Sequence, residues 1–382
     1  MKISDKIRVA VLFGGRSAEH EVSLQSARNV IQYLDPSRFE IVPIGIDKQG
    51  DWFLGNDIFT RSLEQNKVPK SLDNDTWFTP EWVGKSVTTT KDQQALSPSL
   101  NKQMFDVVFP VVHGTLCEDG TLQGLLELAN LPYVGCGVLS SAIGMDKDIS
   151  KRLAINAGIP VPAYMTIKAD QWRANAAHFA ALIKDKLSYP VFVKPANTGS
   201  SIGVSKAKDE KALFAAIEDA FRFDTKIVVE KSLNNIHELE VAVLESLEPN
   251  TDPIISVVGE IKPKGHEFYS YDAKYTDEHG AELLIPAPIT NEIKEKARAA
   301  AKELFLLLEC EGMARVDLFF DKDTQQIYFN EINTLPGFTK ISMYPKLMDA
   351  SGVSYSELLT HLIQLAIKRY QTKSQLIRSY AG

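Results

Sequence analysis

At 382 residues, with 44% hydrophobic and 24% charged side chains, the chain has the composition of a soluble globular protein and the length of two or three domains. Its net charge of −7 excludes a general attraction to nucleic acid or to an anionic membrane, so an anionic ligand must be met by a local cluster of positive groups. Three scattered cysteines, Cys117, Cys136 and Cys310, lack metal-type spacing and are too few for a disulfide scaffold, which points to the reducing cytoplasm. The apolar run from Val9 to Phe13 stops at Gly14-Gly15, short of a secretory core, and no stretch is long enough to span a bilayer.

Residues 7 to 13 are predicted to form a strand, followed by Gly14-Gly15 and a helix whose apolar positions Leu24, Ala27, Ile31 and Leu34 recur at helical spacing until Asp35-Pro36 stops it. A strand over Glu40 to Ile46 comes next. Residues 55 to 102 are polar and irregular, anchored by Trp77 and Trp82, and are expected to be an insertion. A buried strand over 105 to 112 and a helix from about Thr121 complete a doubly wound α/β unit, with ligand loops at the C-terminal ends of its strands. A helix over Asp146 to Ala157 ends in Gly-Ile-Pro-Val-Pro, a boundary signal. Beyond it lie a strand over Tyr189 to Lys194, a Gly/Ser loop, a helix from about Asp209 and a strand over Lys226 to Lys231. A long helix over 291 to 309 and a final helix starting at Ser354, with the capping partner Glu357 three residues on, close the chain. The expected domains are 1–138, 139–234 and 235–382.

Several loops carry residues suited to ligands. Lys194-Pro-Ala-Asn-Thr-Gly-Ser-Ser-Ile-Gly203 follows an apolar strand. Small residues there let backbone amides approach phosphate oxygens, although a flexible turn would look the same. It is not a Walker A loop. The first strand–helix loop lacks the dinucleotide fingerprint, which argues against a nicotinamide enzyme. Its Glu19 suits either simple helix capping or a ligand ammonium. His113 ends a strand, where both a ligand role and a structural one are open, and no second His or Cys pair supports zinc. Glu230, at the end of a strand, and Glu238 beyond it suit adenine or ribose. Tyr271 to Tyr275 lie in a long Gly/Pro-rich excursion with the length of a lid.

Two pairs near the C-terminus are the most informative. Arg315 and Asp317 lie in Met-Ala-Arg-Val-Asp-Leu-Phe-Phe, and Glu331 and Asn333 in Ile-Tyr-Phe-Asn-Glu-Ile-Asn, two predicted strands joined by a polar hairpin connection. Side chains two apart on a strand share a face. Three oxygen donors and a guanidinium therefore converge, as a magnesium–nucleotide site requires; a polar sheet face is the alternative.

In this order, the motifs resemble the D-alanine–D-alanine ligases of the ATP-grasp superfamily. The resemblance is carried by Gly14 to Ser23, His113-Gly114 with Glu118 to Thr121, Met145-Asp146-Lys147, and Lys194-Pro195 with Gly199-Ser200-Ser201. It continues through Tyr271 to Tyr275 and Arg315 with Asp317 to Glu331-Ile-Asn-Thr-Leu-Pro-Gly337. It spans residue 14 to about residue 345, with Cys117 where such ligases often carry glycine. The resemblance implies an ATP-grasp fold of three α/β domains, the nucleotide held between the second and third. It also implies ATP-dependent joining of two D-alanines through a D-alanyl phosphate. Asp317, Glu331 and Asn333 would hold two Mg²⁺ ions, with Mn²⁺ as a substitute. Arg315 and the amide near Gly337 would stabilise the oxyanion. Lys147 and Lys194 would contact the phosphates under the loop of Ser200 and Ser201. Glu230, Lys231, Leu233, Glu238, Lys274 and Asn330 would complete the ATP site. Glu19 would bind the first ammonium and His113 the first carboxylate. Ser342 and Lys274 would hold the second carboxylate, and Tyr275 would link Glu19 to Ser200. The family suggests a homodimer. The nearest rival is a ligase using D-lactate, disfavoured because such enzymes tend to lack the tyrosine matched by Tyr275; a different ATP-grasp ligase and a nucleotide-binding regulator are the others.

Overall fold

The computed structural model describes residues 6–54, 61, 62, 64, 104–265 and 280–379. Most of the expected insertion, with Trp77 and Trp82, lies outside the described residues, as do Lys274, Tyr275 and the rest of the 271–275 motif.

The chain opens with β1 (Ile7–Gly14), α1 (His20–Tyr33), β2 (Phe39–Ile46) and β3 (Trp52–Leu54). Next come β4 (Val107–Pro110), α2 (Thr121–Leu128), α3 (Val138–Met145) and α4 (Lys147–Asn156). Strand β1 is apolar and buried over most of its length, as a strand covered on both faces must be, and pairs in parallel with β2 and β4 in the order β3-β2-β1-β4.

A second sheet, β5-β8-β6-β7, is wholly antiparallel: β5 (Tyr164–Lys168), β6 (Val191–Pro195), β7 (Ser205–Ala207) and β8 (Lys226–Lys231). It is backed by α5 (Ala169–Lys186) and α6 (Glu210–Ala220), which bury Trp172, Ile183, Leu213 and Ile217 against it. Asp209 caps α6 by accepting from the amide of Ala212 at 2.8 Å.

The third sheet contains β9 (Ile236–Leu244), β10 (Ile254–Pro263), β11 (Ala281–Leu284), β12 (Met313–Asp321) and β13 (Gln326–Asn333), in the order β11-β10-β9-β12-β13. Helix α7 (Asn291–Leu307) covers one face through Ala297, Ala301, Leu304 and Phe305. On the other side lie α8 (Met343–Asp349) and α9 (Tyr355–Ser374), the latter started by the expected Ser354/Glu357 capping box. Leu358, Leu362 and Ile363 of α9 share one apolar cluster with Val9, Leu24 and Phe109 of the first unit. Among the described residues, no helix is long and apolar enough to cross a membrane.

Candidate active site

The two strand pairs expected from the sequence meet as one cross-strand cluster. Strands β12 and β13 are antiparallel, with Arg315 opposite Asn333 and Asp317 opposite Glu331, and the register shifts just after Asp317. The four side chains border two adjoining cavities of about 840 and 620 Å³ whose shared walls include Lys147, Glu240 and Glu331. The smaller cavity runs between the second and third sheets, past Lys194, Ser201, Glu230, Lys231, Leu233, Glu238, Asp317 and Asn330. The larger opens towards the first unit and is lined by Glu19, His113, Glu118, Ser200, Arg315, Asn333, Gly337 and Ser342.

Ionic pairing organises the cluster. Arg315 grips Asp317 with two bonds of 2.7 Å and lies 3.1 Å from Glu240. Burial works against its charge, but Asp317 and Glu240 outweigh that and hold its pKa well above the usual value. Lys147, in the first turn of α4, lies 3.3 Å from Glu331 and donates to the Thr198 carbonyl at 2.6 Å. Asp317, Glu331 and Asn333 are hard oxygen donors at neighbouring positions of one sheet face. Two carboxylates and an amide are the sparse protein share expected for Mg²⁺, which takes its remaining ligands from water and phosphate. So small a donor set fits a cation shared with a phosphorylated ligand better than a closed structural site.

Behind the wall of the smaller cavity is a group that the sequence reading missed. Lys151, fully buried on α4, lies 3.1 Å from Glu230 and donates to the carbonyl of Asn330 at 2.9 Å. Lys194 donates to the other Glu230 oxygen at 3.0 Å and to Asn330 Oδ1 at 3.2 Å. Burial alone would raise the Glu230 pKa, yet the two ammonium groups hold it below the ordinary value, so the carboxylate is ionised. Glu230 is thus a bridge between two lysines as well as part of the cavity wall. The sequence signal for Lys151 was weak: it sits one helical turn after Lys147, but nothing local announces its burial.

On the opposite side, Glu19 is the N-cap residue of α1 but makes no side-chain cap. It instead accepts a hydrogen bond directly from Ser200 Oγ, whereas the expected link between the two runs through Tyr275, which lies outside the described residues. Ser200 and Ser201 take left-handed backbone angles, φ +50° and +58°, uncommon for residues with a Cβ and often a mark of a constrained functional turn. Gly114 leaves room for Glu19, since a Cβ there would come within 2.5 Å of Glu19 Oε2. Glu118 is buried beside Glu19 and accepts from the Gly114 amide at 2.8 Å. Burial, followed by the nearby Glu19 charge, drives its pKa well upward.

His113 is buried and its pKa is lowered to about 4 by burial, so the ring is neutral at neutral pH. Its Nε2 lies 3.1 Å from Ser26 Oγ, and the nearby Leu335 backbone offsets part of the effect of burial. It can therefore offer a ligand polarity but no positive charge. Cys117 is also buried, and burial pushes its thiol pKa upward; its sulfur sits where a Cβ on Gly15 would meet it at 3.2 Å. Gly337 lies in a turn fixed from both sides: Asn29 donates to the Phe338 carbonyl at 2.9 Å and Tyr355 at 2.6 Å. A Cβ on Gly337 would approach Ser342 Oγ to 2.8 Å, which places the two expected residues side by side.

Two antiparallel sheets closing on a lysine-lined pocket, with acidic residues at the end of a hairpin, define the ATP-grasp class. The family description "D-ala D-ala ligase N-terminus" matches residues 8–136 and "D-ala D-ala ligase C-terminus" matches residues 153–364. The D-alanine–D-alanine ligase of Caldicellulosiruptor bescii is 47% identical over 99% of this chain and 100% of its own length, and ligase A of Escherichia coli K12 is 45% identical over 97% and 99%. Among solved structures, the Coxiella burnetii D-alanine–D-alanine ligase aligns with a TM-score of 0.77 at 34% identity, covering 98% of each chain. The VanG D-Ala:D-Ser ligase of Enterococcus faecalis aligns with a TM-score of 0.78 at 37% identity, covering 94% of this chain and 99% of that one. The chain belongs to the D-alanine–D-alanine ligase family.

Proposed function

We propose that the protein joins two molecules of D-alanine to D-alanyl-D-alanine, with ATP converted to ADP and phosphate, as a cytoplasmic, homodimeric supplier of peptidoglycan precursor. The observation that carries this reading is the cluster of Arg315, Asp317, Glu331 and Asn333 where two cavities meet, the smaller of them lined by Lys147, Lys194 and Lys231.

The chemistry follows from the poor leaving ability of a carboxylate oxygen. A carboxylate oxygen of the first D-alanine attacks the γ-phosphorus of ATP, ADP departs, and a D-alanyl phosphate results. The neutral amine of the second D-alanine attacks the acyl carbon, and the tetrahedral intermediate collapses with loss of phosphate. Lys147 and Lys194 hold the phosphates, under the turn of Ser200 and Ser201. Glu230, Lys231, Leu233 and Glu238, with Asn330, form the wall for adenine and ribose. Arg315 and the Gly337 amide stabilise the oxyanion; one such donor is typically worth about 3–4 kcal/mol. Glu19 receives the first ammonium, and neutral His113 lies near the first carboxylate. Ser342, with Lys274, would hold the second carboxylate, and Tyr275 would add to the link between Glu19 and Ser200, which already share a hydrogen bond. Asp317, Glu331 and Asn333 would hold two Mg²⁺ ions, replaceable by Mn²⁺, which would supply charge neutralisation for the phosphate oxygens. Much of the rate comes from holding acyl phosphate and amine together, an effect worth up to roughly 7–11 kcal/mol.

The test is identification of the product made from ATP, Mg²⁺ and D-alanine, in competition with D-lactate and D-serine. D-alanyl-D-alanine as the main product near neutral pH supports the reading. A dominant ester or a D-alanyl-D-serine product refutes it.

A further inference from the structure

The larger cavity is much roomier than two alanines require, and its outer part carries a charge pattern distinct from its depth. Deep in it stand Glu19, Glu118, Glu240 and Glu331, with Lys147 and Arg315 among them. Towards solvent, α1 presents Glu21, Gln25 and Arg28, at helical spacing, and the segment after Gly337 adds the exposed Lys340 to the same lining. Arg28 and Lys340 are both exposed, and among the described residues neither is ion-paired. The rim carboxylate Glu21, by contrast, is neutralised by Lys48 at 2.5 Å. Two parts of the chain more than three hundred residues apart therefore bring exposed, unneutralised cations to one cavity, while in its interior the cations Lys147 and Arg315 are already paired with Glu331 and Glu240.

We propose that Arg28 and Lys340 form a cationic mouth that captures the acceptor amino acid by its carboxylate and presents its amine end inward. This rests on the ligase reading above. An amino acid is a dipole of two charges, and the reaction needs it in one direction only: amine towards the acyl carbon, carboxylate towards Ser342 and the solvent side. Cations at the mouth, with the inner cations already engaged by carboxylates, favour that direction during approach. The opposite orientation brings the ammonium against Arg28 and Lys340. Lys340 stands two residues before Ser342, so the steering group and the expected carboxylate contact belong to one segment. The two cations act on approach and orientation rather than on bond making, so their removal should appear in kcat/KM for the acceptor and spare kcat.

The experiment compares wild type, the double reversal Arg28→Glu/Lys340→Glu and the conservative pair Arg28→Lys/Lys340→Arg, with thermal melts confirming that all fold. Steady-state rates are taken against D-alanine and against ATP, at low salt and with about 0.5 M added KCl, where screening shortens electrostatic reach to a few ångströms. The double reversal should lower kcat/KM for acceptor D-alanine roughly tenfold at low salt, a size suited to two exposed charges. Saturated kcat and the KM for ATP should change less than about twofold, the deficit should shrink at high salt, and the conservative pair should match wild type. An unchanged kcat/KM, a loss that survives high salt, or a loss seated in kcat overturns the proposal while leaving the ligase reading intact. Absence of dipeptide from wild type overturns both.

Discussion

His113 lies under Ser26 and Leu335, and burial lowers its pKa from 6.5 to about 4. In the unfolded chain the ring takes up a proton below about pH 6.5, while the folded protein resists until about pH 4, so stability from this residue falls as pH drops through that window and is constant above it. His113→Gln should remove about 2 kcal/mol of the stability difference between pH 7 and pH 5, read from urea unfolding at the two values. An unchanged difference would mean that the ring is solvated. Lys151 offers a second test. Lys151→Met leaves Glu230 buried with Lys194 as its remaining lysine partner and should cost about 3–5 kcal/mol in chemical denaturation, partly recovered by adding Glu230→Gln. The sequence exposed Lys194 because it ends an apolar strand before a small-residue loop. Lys151 stayed hidden because its role arises only when α4 is laid against β8 and β13, a packing that no local pattern encodes.

The hairpin of β12 and β13 was readable because its information is local: period-two alternation puts Arg315 with Asp317 and Glu331 with Asn333 on shared faces, and the polar connection sets the antiparallel register. Helix α5 was less readable. Its buried residues are few, Trp172, Ala180 and Ile183 among mostly polar neighbours, so its amphipathic signal is faint. Strands β9 and β10 went undefined for a different reason: each mixes short apolar runs with charged or small residues, Glu238 and Glu240 in β9 and Ser256, Gly259 and Glu260 in β10, so neither keeps one period along its length. What aims the hairpin's end at the cavity is α3, whose Gly144 packs directly on β13. A Cβ there would come within 2.8 Å of Thr334 Cγ2 and 3.3 Å of Ile332 Cγ2. Gly144→Ala should therefore lower stability by about 1–3 kcal/mol despite alanine's better helix propensity, and should raise the KM for Mg-ATP by displacing Glu331 and Asn333. A variant of raised stability and unaltered KM would show that α3 can retreat without moving the strand.

Across the whole molecule, α9 returns the C-terminal part of the chain to the first unit, its Leu358, Leu362 and Ile363 sharing one apolar cluster with Val9 and Phe109. Arg369 is the polar part of that link: it donates to the carbonyls of Gly135 at 2.6 Å and Tyr133 at 2.7 Å, pairs with Glu311 at 3.2 Å, and stands 4.4 Å from the Tyr133 ring centroid. Arg369→Ala should destabilise by about 2–4 kcal/mol, since the two carbonyls and Glu311 lose a charged donor, and differential scanning calorimetry would record the drop. Fold class and the order of site residues were legible from motifs strung along the chain, but this closure was not, because α9 reads only as an amphipathic helix until its partner is known. The central claim is that carboxylate activation by ATP precedes amide formation in the joined cavities. It is tested most directly by supplying D-alanine labelled with ¹⁸O in its carboxylate and analysing the released phosphate by mass spectrometry. An acyl phosphate route leaves one labelled oxygen in each phosphate, because the carboxylate oxygen that attacks phosphorus departs with it. Unlabelled phosphate, with the label found in AMP or wholly retained in the amino acid, would contradict the mechanism.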